Sequence, residues 1–227
     1  MLIKHNSFSV LFAIIFVVHL VAIAMDQMML TNVTKPMIIM SLLIYFYNLS
    51  GLRTGFHKRI FAGLTFSLMG DVLLIFTSQD ANFFMAGLGA FLIAQISYIF
   101  AFFIDYQKDS GKHKLLLFAS IIFFGTFCVT LYNYLSPGLG DMKIPVLTYA
   151  IIISLMAIMA TNRYGRTNRV SFIMVLMGAL FFLASDTALA INNFSSPYAY
   201  AGIVIMATYM LAQYYITRGA LERRDNY

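Results

Sequence analysis

Charge is what this sequence has least of. Only 11% of its 227 residues are Asp, Glu, Lys or Arg, where a soluble domain carries about 25%. Hydrophobic residues make up 61%, including 22 Phe and 15 Met, and mean hydropathy is +0.82. So little polar surface cannot coat a globule in water, which excludes a soluble enzyme or binding domain. A single cysteine, Cys128, excludes a disulfide framework and a thiolate metal site. Phosphate-binding glycine loops, HExxH and GxSxG are also missing. Nucleotide-driven transport, zinc proteolysis and serine-triad hydrolysis therefore have no support, and no metal or cofactor is expected.

What the chain does have is eight apolar runs, at about 8–25, 36–52, 59–77, 82–104, 114–135, 145–161, 170–193 and 198–217. In lipid the backbone must satisfy its own hydrogen bonds, so each run is read as a helix. The expected fold is all-α: a polytopic integral membrane bundle of eight transmembrane helices, forming one transmembrane domain over 1–227. Spans of about 20 residues each leave only short connections and two tails. Lys4 before the first run resembles the start of a signal sequence. Asp26-Gln27-Met28-Met29 follows without a small-x-small pattern, so the run is read as a retained helix.

Lys and Arg give an orientation. Lys4, Arg53, Lys58, Arg59, Lys108, Lys112, Lys114, Arg163, Arg166, Arg169, Arg218, Arg223 and Arg224 fall on one side, against Lys35 and Lys143 on the other. The positive-inside rule then places both termini in the cytoplasm, in the inner membrane if the source is bacterial. The sequence pI near 9.4 reflects these helix-orienting residues rather than a nucleic-acid surface. Pro36, Pro145 and Pro197 are expected to open even-numbered runs on the outer side, where a missing N–H is tolerated. A candidate parallel four-plus-four repeat is also visible. Phe66-x-Leu68-x-x-Asp71-x-x-Leu74 matches Phe181-x-Leu183-x-x-Asp186-x-x-Leu189 at an offset of 115 residues. The abundance of Phe and Leu accounts for part of that match.

Two of the nine acidic residues, Asp71 and Asp186, lie well inside apolar runs. A carboxylate at membrane depth costs about 2.5–3.5 kcal/mol even on lenient scales, so it marks a function or a firm partner. Each is about six residues before the outer end of its run, roughly 9 Å deep at the helical rise. Small or polar residues share their helical faces: Gly63, Ser67 and Ser78 with Asp71, and Ala179, Ala190 and Asn193 with Asp186. The functional reading makes the pair one reactive site. The plainer reading makes each a hydrogen-bonding group between helices.

Other polar residues could line the same cavity. Lys35, opening the second run beside Pro36, suits a phosphate or carboxylate at headgroup level, or simply snorkels to the interface. His19 lies at a depth like that of the aspartates. Tyr149 lies one turn into the sixth run, Gln95 and Tyr98 midway along the fourth, and Tyr209 and Gln213 on the eighth. Any of these could equally hold helices together.

Gly70-Asp71-x-x-Leu74 and Gly178-Ala179-x-Phe181-x-x-x-Ser185-Asp186-x-x-Leu189-Ala190-x-x-x-Phe194 carry a resemblance. With Thr34-Lys35-Pro36 and Tyr209-x-x-x-Gln213, the chain resembles the YhhN family of eight-helix membrane proteins, which includes lysoplasmalogenases. That resemblance implies an ether hydrolase cleaving the vinyl ether of lysoplasmalogens to a fatty aldehyde and glycerophosphoethanolamine or glycerophosphocholine. Asp71 and Asp186 would be the catalytic acids, with Lys35, Tyr149, Tyr209, Gln213, Asn193 and His19 around the lipid substrate. Burial and a neighbouring like charge both favour a neutral carboxyl, which such chemistry needs. The alternative is a proton-coupled transporter of a small amphipathic substrate using the same aspartates. Against it, no run is clearly broken by Gly or Pro at its centre. A non-catalytic lipid-binding protein is the third reading.

Overall fold

The computed structural model describes residues 2–80, 82–108, 111 and 113–224. Lys112, and the side chains of Lys4 and Lys108, lie outside the described residues. Eight α-helices account for the fold, and no strand occurs among the described residues. They are α1 (Leu2–Ala24), α2 (Met28–Ser50), α3 (Gly55–Ile75), α4 (Asn82–Lys108), α5 (Lys114–Leu135), α6 (Lys143–Thr161), α7 (Arg169–Phe194) and α8 (Ala201–Leu221). Two 3-10 turns, Ser136–Gly138 and Gly140–Met142, join α5 to α6.

Two expectations need correction at the prolines. The second helix starts at Met28, not near residue 36, so Pro36 sits inside it. Thr31, Asn32, Thr34 and Lys35 break the apolar run, but they do not break the helix. The Thr34 hydroxyl, for example, donates to the Leu30 carbonyl at 2.7 Å, one turn back. Pro197 lies in the connection ahead of α8, which begins at Ala201. Pro145 does fall in the first turn of α6, where its absent N–H would have no helical partner.

Among the described residues, six helices are long and apolar enough to cross a membrane: α1, α2, α4, α5, α6 and α7. The other two differ for a visible reason. α3 begins with His57, Lys58 and Arg59 and carries Asp71, while α8 carries Gln213 and Arg218. Their apolar character is diluted by polar groups, of which Asp71 and Gln213 are buried while Lys58 and Arg59 are exposed. The same two helices make the closest packing, α3 with α4 and α7 with α8.

Glycine permits that approach. A Cβ at Gly70 would lie 2.7 Å from the Phe91 ring of α4, and one at Gly63 would overlap the Tyr98 ring. Between α7 and α8, a Cβ at Gly178 would lie 2.9 Å from the Ala212 carbonyl oxygen. The resulting core draws Leu42 and Phe46 from α2, Ile60 and Leu64 from α3, Phe102 from α4, Phe182 from α7 and Ile216 from α8. By contrast α5 turns Phe118, Ile122, Phe123 and Val129 outward, as a lipid-facing helix does.

Candidate active site

The buried face of α3 runs Phe56, Ile60, Gly63, Leu64, Ser67, Gly70, Asp71, the 3.6-residue spacing of a helix packed on one side. That stripe carries the Asp71 carboxyl inward, where the residue is 1% exposed. Its Oδ2 accepts from the Tyr209 hydroxyl of α8 at 2.8 Å. Its Oδ1 lies 3.9 Å from the Lys35 ammonium of α2. The Tyr209 ring is held edge-on between Phe91 and Phe182, with centroids 5.7 and 5.8 Å away. Lys35 is thus placed within α2, with its ammonium turned to an acid; it does not open the helix at the surface.

Asp186 on α7 has a different set of neighbours. Its Oδ2 accepts from the Tyr149 hydroxyl of α6 at 2.7 Å and from Gln95 Nε2 of α4 at 2.8 Å. Gln95 Nε2 also donates to the Tyr149 oxygen at 2.8 Å. The Gln95 side-chain carbonyl is buried and has no partner among the described residues. Asp186 lines a small cavity of about 30 Å³ with Leu131, Tyr132, Tyr149, Ile153 and Ala190.

A third set of bonds lies one turn away. Tyr98 donates to Gln213 Oε1 at 2.7 Å, and Gln213 Nε2 donates to Ser67 Oγ at 2.9 Å. All three residues are fully buried; Ser67 stands one turn before Asp71 on α3, and Gln213 one turn after Tyr209 on α8. His19 of α1 makes a separate bond, its Nδ1 lying 2.7 Å from Thr34 Oγ1. The Thr34 proton is directed at Leu30, so Nδ1 is the donor and Nε2 carries the lone pair. That Nε2 is buried without a partner among the described residues.

Asn193 does not join either group. It is exposed near the end of α7, where its oxygen accepts from Asn192 Nδ2 at 3.3 Å. The i+7 spacing from Asp186 ignored the end of the helix, where the face opens to solvent. Ser78 fails likewise, lying beyond α3, which stops at Ile75. Asp71 is therefore four residues from the end of its helix and Asp186 eight from the end of its own.

A buried acid that the apolar runs did not single out is Asp105, near the end of α4. It accepts from Arg163 Nε at 2.9 Å and from Arg223 Nη2 at 2.6 Å. Arg163 is fully buried and also donates to Ser171 Oγ and the Ser171 carbonyl. Arg166 is buried as well, donating to the Asn162 carbonyl with its guanidinium over Tyr106. Arg163 and Arg166, read from the sequence as helix-orienting residues, are also buried here, and Arg163 fastens the α6–α7 connection to α4 and α7.

This geometry sets two buried carboxyls apart by environment. One is beside a cation, and the other, among the described residues, is bonded by neutral donors and lines a cavity. Among the described residues no cluster of His, Cys, Asp and Glu is placed to hold a metal ion. Comparison with known proteins narrows the field. The chain is 33% identical over 173 residues to lysoplasmalogenase TMEM86A of Homo sapiens, covering 74% of this chain and 67% of that protein. It is 33% identical over 171 residues to lysoplasmalogenase TMEM86A of Bos taurus, with the same coverage. Against lysoplasmalogenase TMEM86B of Homo sapiens it is 31% identical over 168 residues, covering 74% and 66%. The chain thus spans about two thirds of the length of these relatives. No solved structure matches it. The YhhN family model matches residues 30–220, from early α2 to the end of α8 and so across every residue bonded to Asp71 and Asp186, and the chain belongs to that family.

Proposed function

We propose that this protein is a lysoplasmalogenase, an intramembrane ether hydrolase acting on lysoplasmalogens through Asp71 and Asp186. The observation that carries the reading is the pair of inward-facing carboxyls on α3 and α7, each bonded to a tyrosine, in a chain about one third identical to lysoplasmalogenases.

The chemistry requires what these residues offer. A carboxylic acid protonates the outer alkene carbon of the vinyl ether, and the alkene pair becomes the new C–H bond. The oxocarbenium ion so formed is stabilised by a fixed negative charge, as in glycosidases. Water adds at the carbon bearing oxygen, and the hemiacetal collapses to a fatty aldehyde and the glycerophospho-alcohol. Lys35, with Tyr149, Tyr209, Gln213 and His19, surrounds the polar end of the lipid, with Lys35 available to its phosphate.

The membrane setting belongs to the same proposal. All eight helices cross as one membrane domain, with both termini cytoplasmic. α3 and α8 each have 21 residues, enough at the helical rise for a core of about 30 Å. A four-plus-four repeat is supported by how the acids are served. Asp71 draws partners from α2 and α8, and Asp186 from α6 and α4. Those are the same places once each half is advanced by four helices.

Product analysis tests the activity. Purified protein given a lysoplasmalogen releases one fatty aldehyde per glycerophospho-alcohol and leaves a saturated alkyl-ether analogue uncut. A folded protein that cuts neither, but moves protons with an amphipathic solute, is the carrier instead.

A further inference from the structure

We propose that the two aspartates are not interchangeable: Asp186 is the proton donor, and Asp71 stays a carboxylate throughout the cycle. This assignment rests on the hydrolase reading above and deepens it.

The first ground is countercharge. Asp71, 1% exposed, has the Lys35 ammonium 3.9 Å from Oδ1, and Lys35 is itself only 16% exposed. Protonating Asp71 would strand that ammonium in the bundle, which opposes protonation of this acid. No cation lies within ion-pair distance of Asp186 among the described residues. Its described polar neighbours are the Tyr149 hydroxyl of α6 and the Gln95 amide of α4, with Tyr132 of α5 on the cavity wall. A carboxyl with neutral neighbours and no countercharge is stable out of water only in its neutral form.

The second ground is the arrangement of hydrogen bonds. Both donors to Asp186 converge on Oδ2. The Tyr149 oxygen receives Gln95 Nε2, which commits the tyrosine's own proton to Asp186. In the neutral acid that the missing countercharge favours, Oδ2 is then the carbonyl oxygen and Oδ1 carries the proton.

The third ground is access. Asp186 lines a cavity of about 30 Å³, room for one water or a reacting group. Asp71 lines none of the cavities described. Thr187 is shared between the Asp186 cavity and a second one of about 390 Å³, walled by Phe127 of α5 and Leu180, Leu183, Ala188 and Ile191 of α7. That apolar hollow lies beside lipid-facing α5 and suits a hydrocarbon chain whose vinyl ether end reaches Asp186. In the reaction the Asp186 O–H bond breaks as the alkene carbon takes the proton. The water that adds returns its proton to Asp186, restoring the acid.

Infrared spectroscopy in the carboxylic C=O region reads the proton directly and needs no turnover. At neutral pH the wild type is expected to show a protonated-carboxyl band. That band is kept in Asp71→Asn and falls to baseline in Asp186→Asn. Tyr149→Phe, which spares the carboxyl, shifts the band by removing one hydrogen bond. Lys35→Met adds a second band, from Asp71 without its countercharge. A band lost in Asp71→Asn and kept in Asp186→Asn, or no band in the wild type, overturns the assignment. Aldehyde release measured on the same samples keeps the two claims apart. Its absence from the wild type removes the hydrolase reading, whereas aldehyde release with the proton on Asp71 removes only the division of roles.

Discussion

Asp71 and Tyr209 are 138 positions apart yet bonded at 2.8 Å, and that bond reaches a buried carboxyl, the one proposed to stay charged. A hydrogen bond to a charged group contributes about 1.5–3 kcal/mol. Tyr209→Phe should therefore lower unfolding free energy in detergent by about that amount, and reduce turnover because Asp71 loses a fixed donor. At the opposite end of the bundle, Asp105 is held by Arg163 and Arg223. Arg163→Met leaves part of that carboxylate's charge unbalanced. Breaking such a buried pair costs about 3–5 kcal/mol. The expected result is a large fall in thermal stability with turnover per folded molecule unchanged, since Arg163 touches neither Asp71 nor Asp186. Asp71 and Asp186 stand out in the sequence because an apolar background exposes them. Asp105 does not, because it lies near Lys108 at a helix end and its two arginines come from distant segments. Gln95 is visible as a polar residue mid-helix, but its bond to Asp186, 91 positions away, has no local signature.

At the level of helices, the apolar runs locate all eight elements, and α5 coincides with its run from end to end. The errors fall where polar residues are satisfied inside a helix. α2 extends back to Met28 because Thr34 bonds His19 and its own backbone, and Lys35 reaches Asp71. A hydropathy reading treats those residues as loop. The close approach of α3 to α4 is also hidden in hydropathy and rests on glycines, Gly63 and Gly70 of α3 and Gly87 of α4. Gly63→Ala and Gly70→Ala push methyl groups into Tyr98 and Phe91, an overpacking expected to cost about 1–3 kcal/mol. Gly89→Ala and Gly125→Ala are the matched controls, because a Cβ at either meets nothing within 4 Å. Those two should be neutral or stabilising by up to about 1 kcal/mol, the helix preference of Ala over Gly. Thermal unfolding of the four variants in one detergent compares them directly.

At the scale of the whole molecule, the thirteen-to-two division of Lys and Arg makes the topology testable. Cys128 is buried, so background labelling by a membrane-impermeant maleimide should be low. Asp80→Cys and Asp141→Cys should react in intact cells, and Arg53→Cys and Arg169→Cys only after permeabilisation. The opposite pattern would reverse the leaflet from which lipid enters without touching the chemistry. The central claim is that two carboxyls within the bundle hydrolyse a vinyl ether. The measurement that tests it most directly is aldehyde release from a lysoplasmalogen by wild type, Asp71→Asn and Asp186→Asn, each shown to be folded. The account predicts steady release by the wild type and a loss of about 100-fold or more in each variant, the scale of a lost acid or base. Release by a folded variant at the wild-type rate would contradict it.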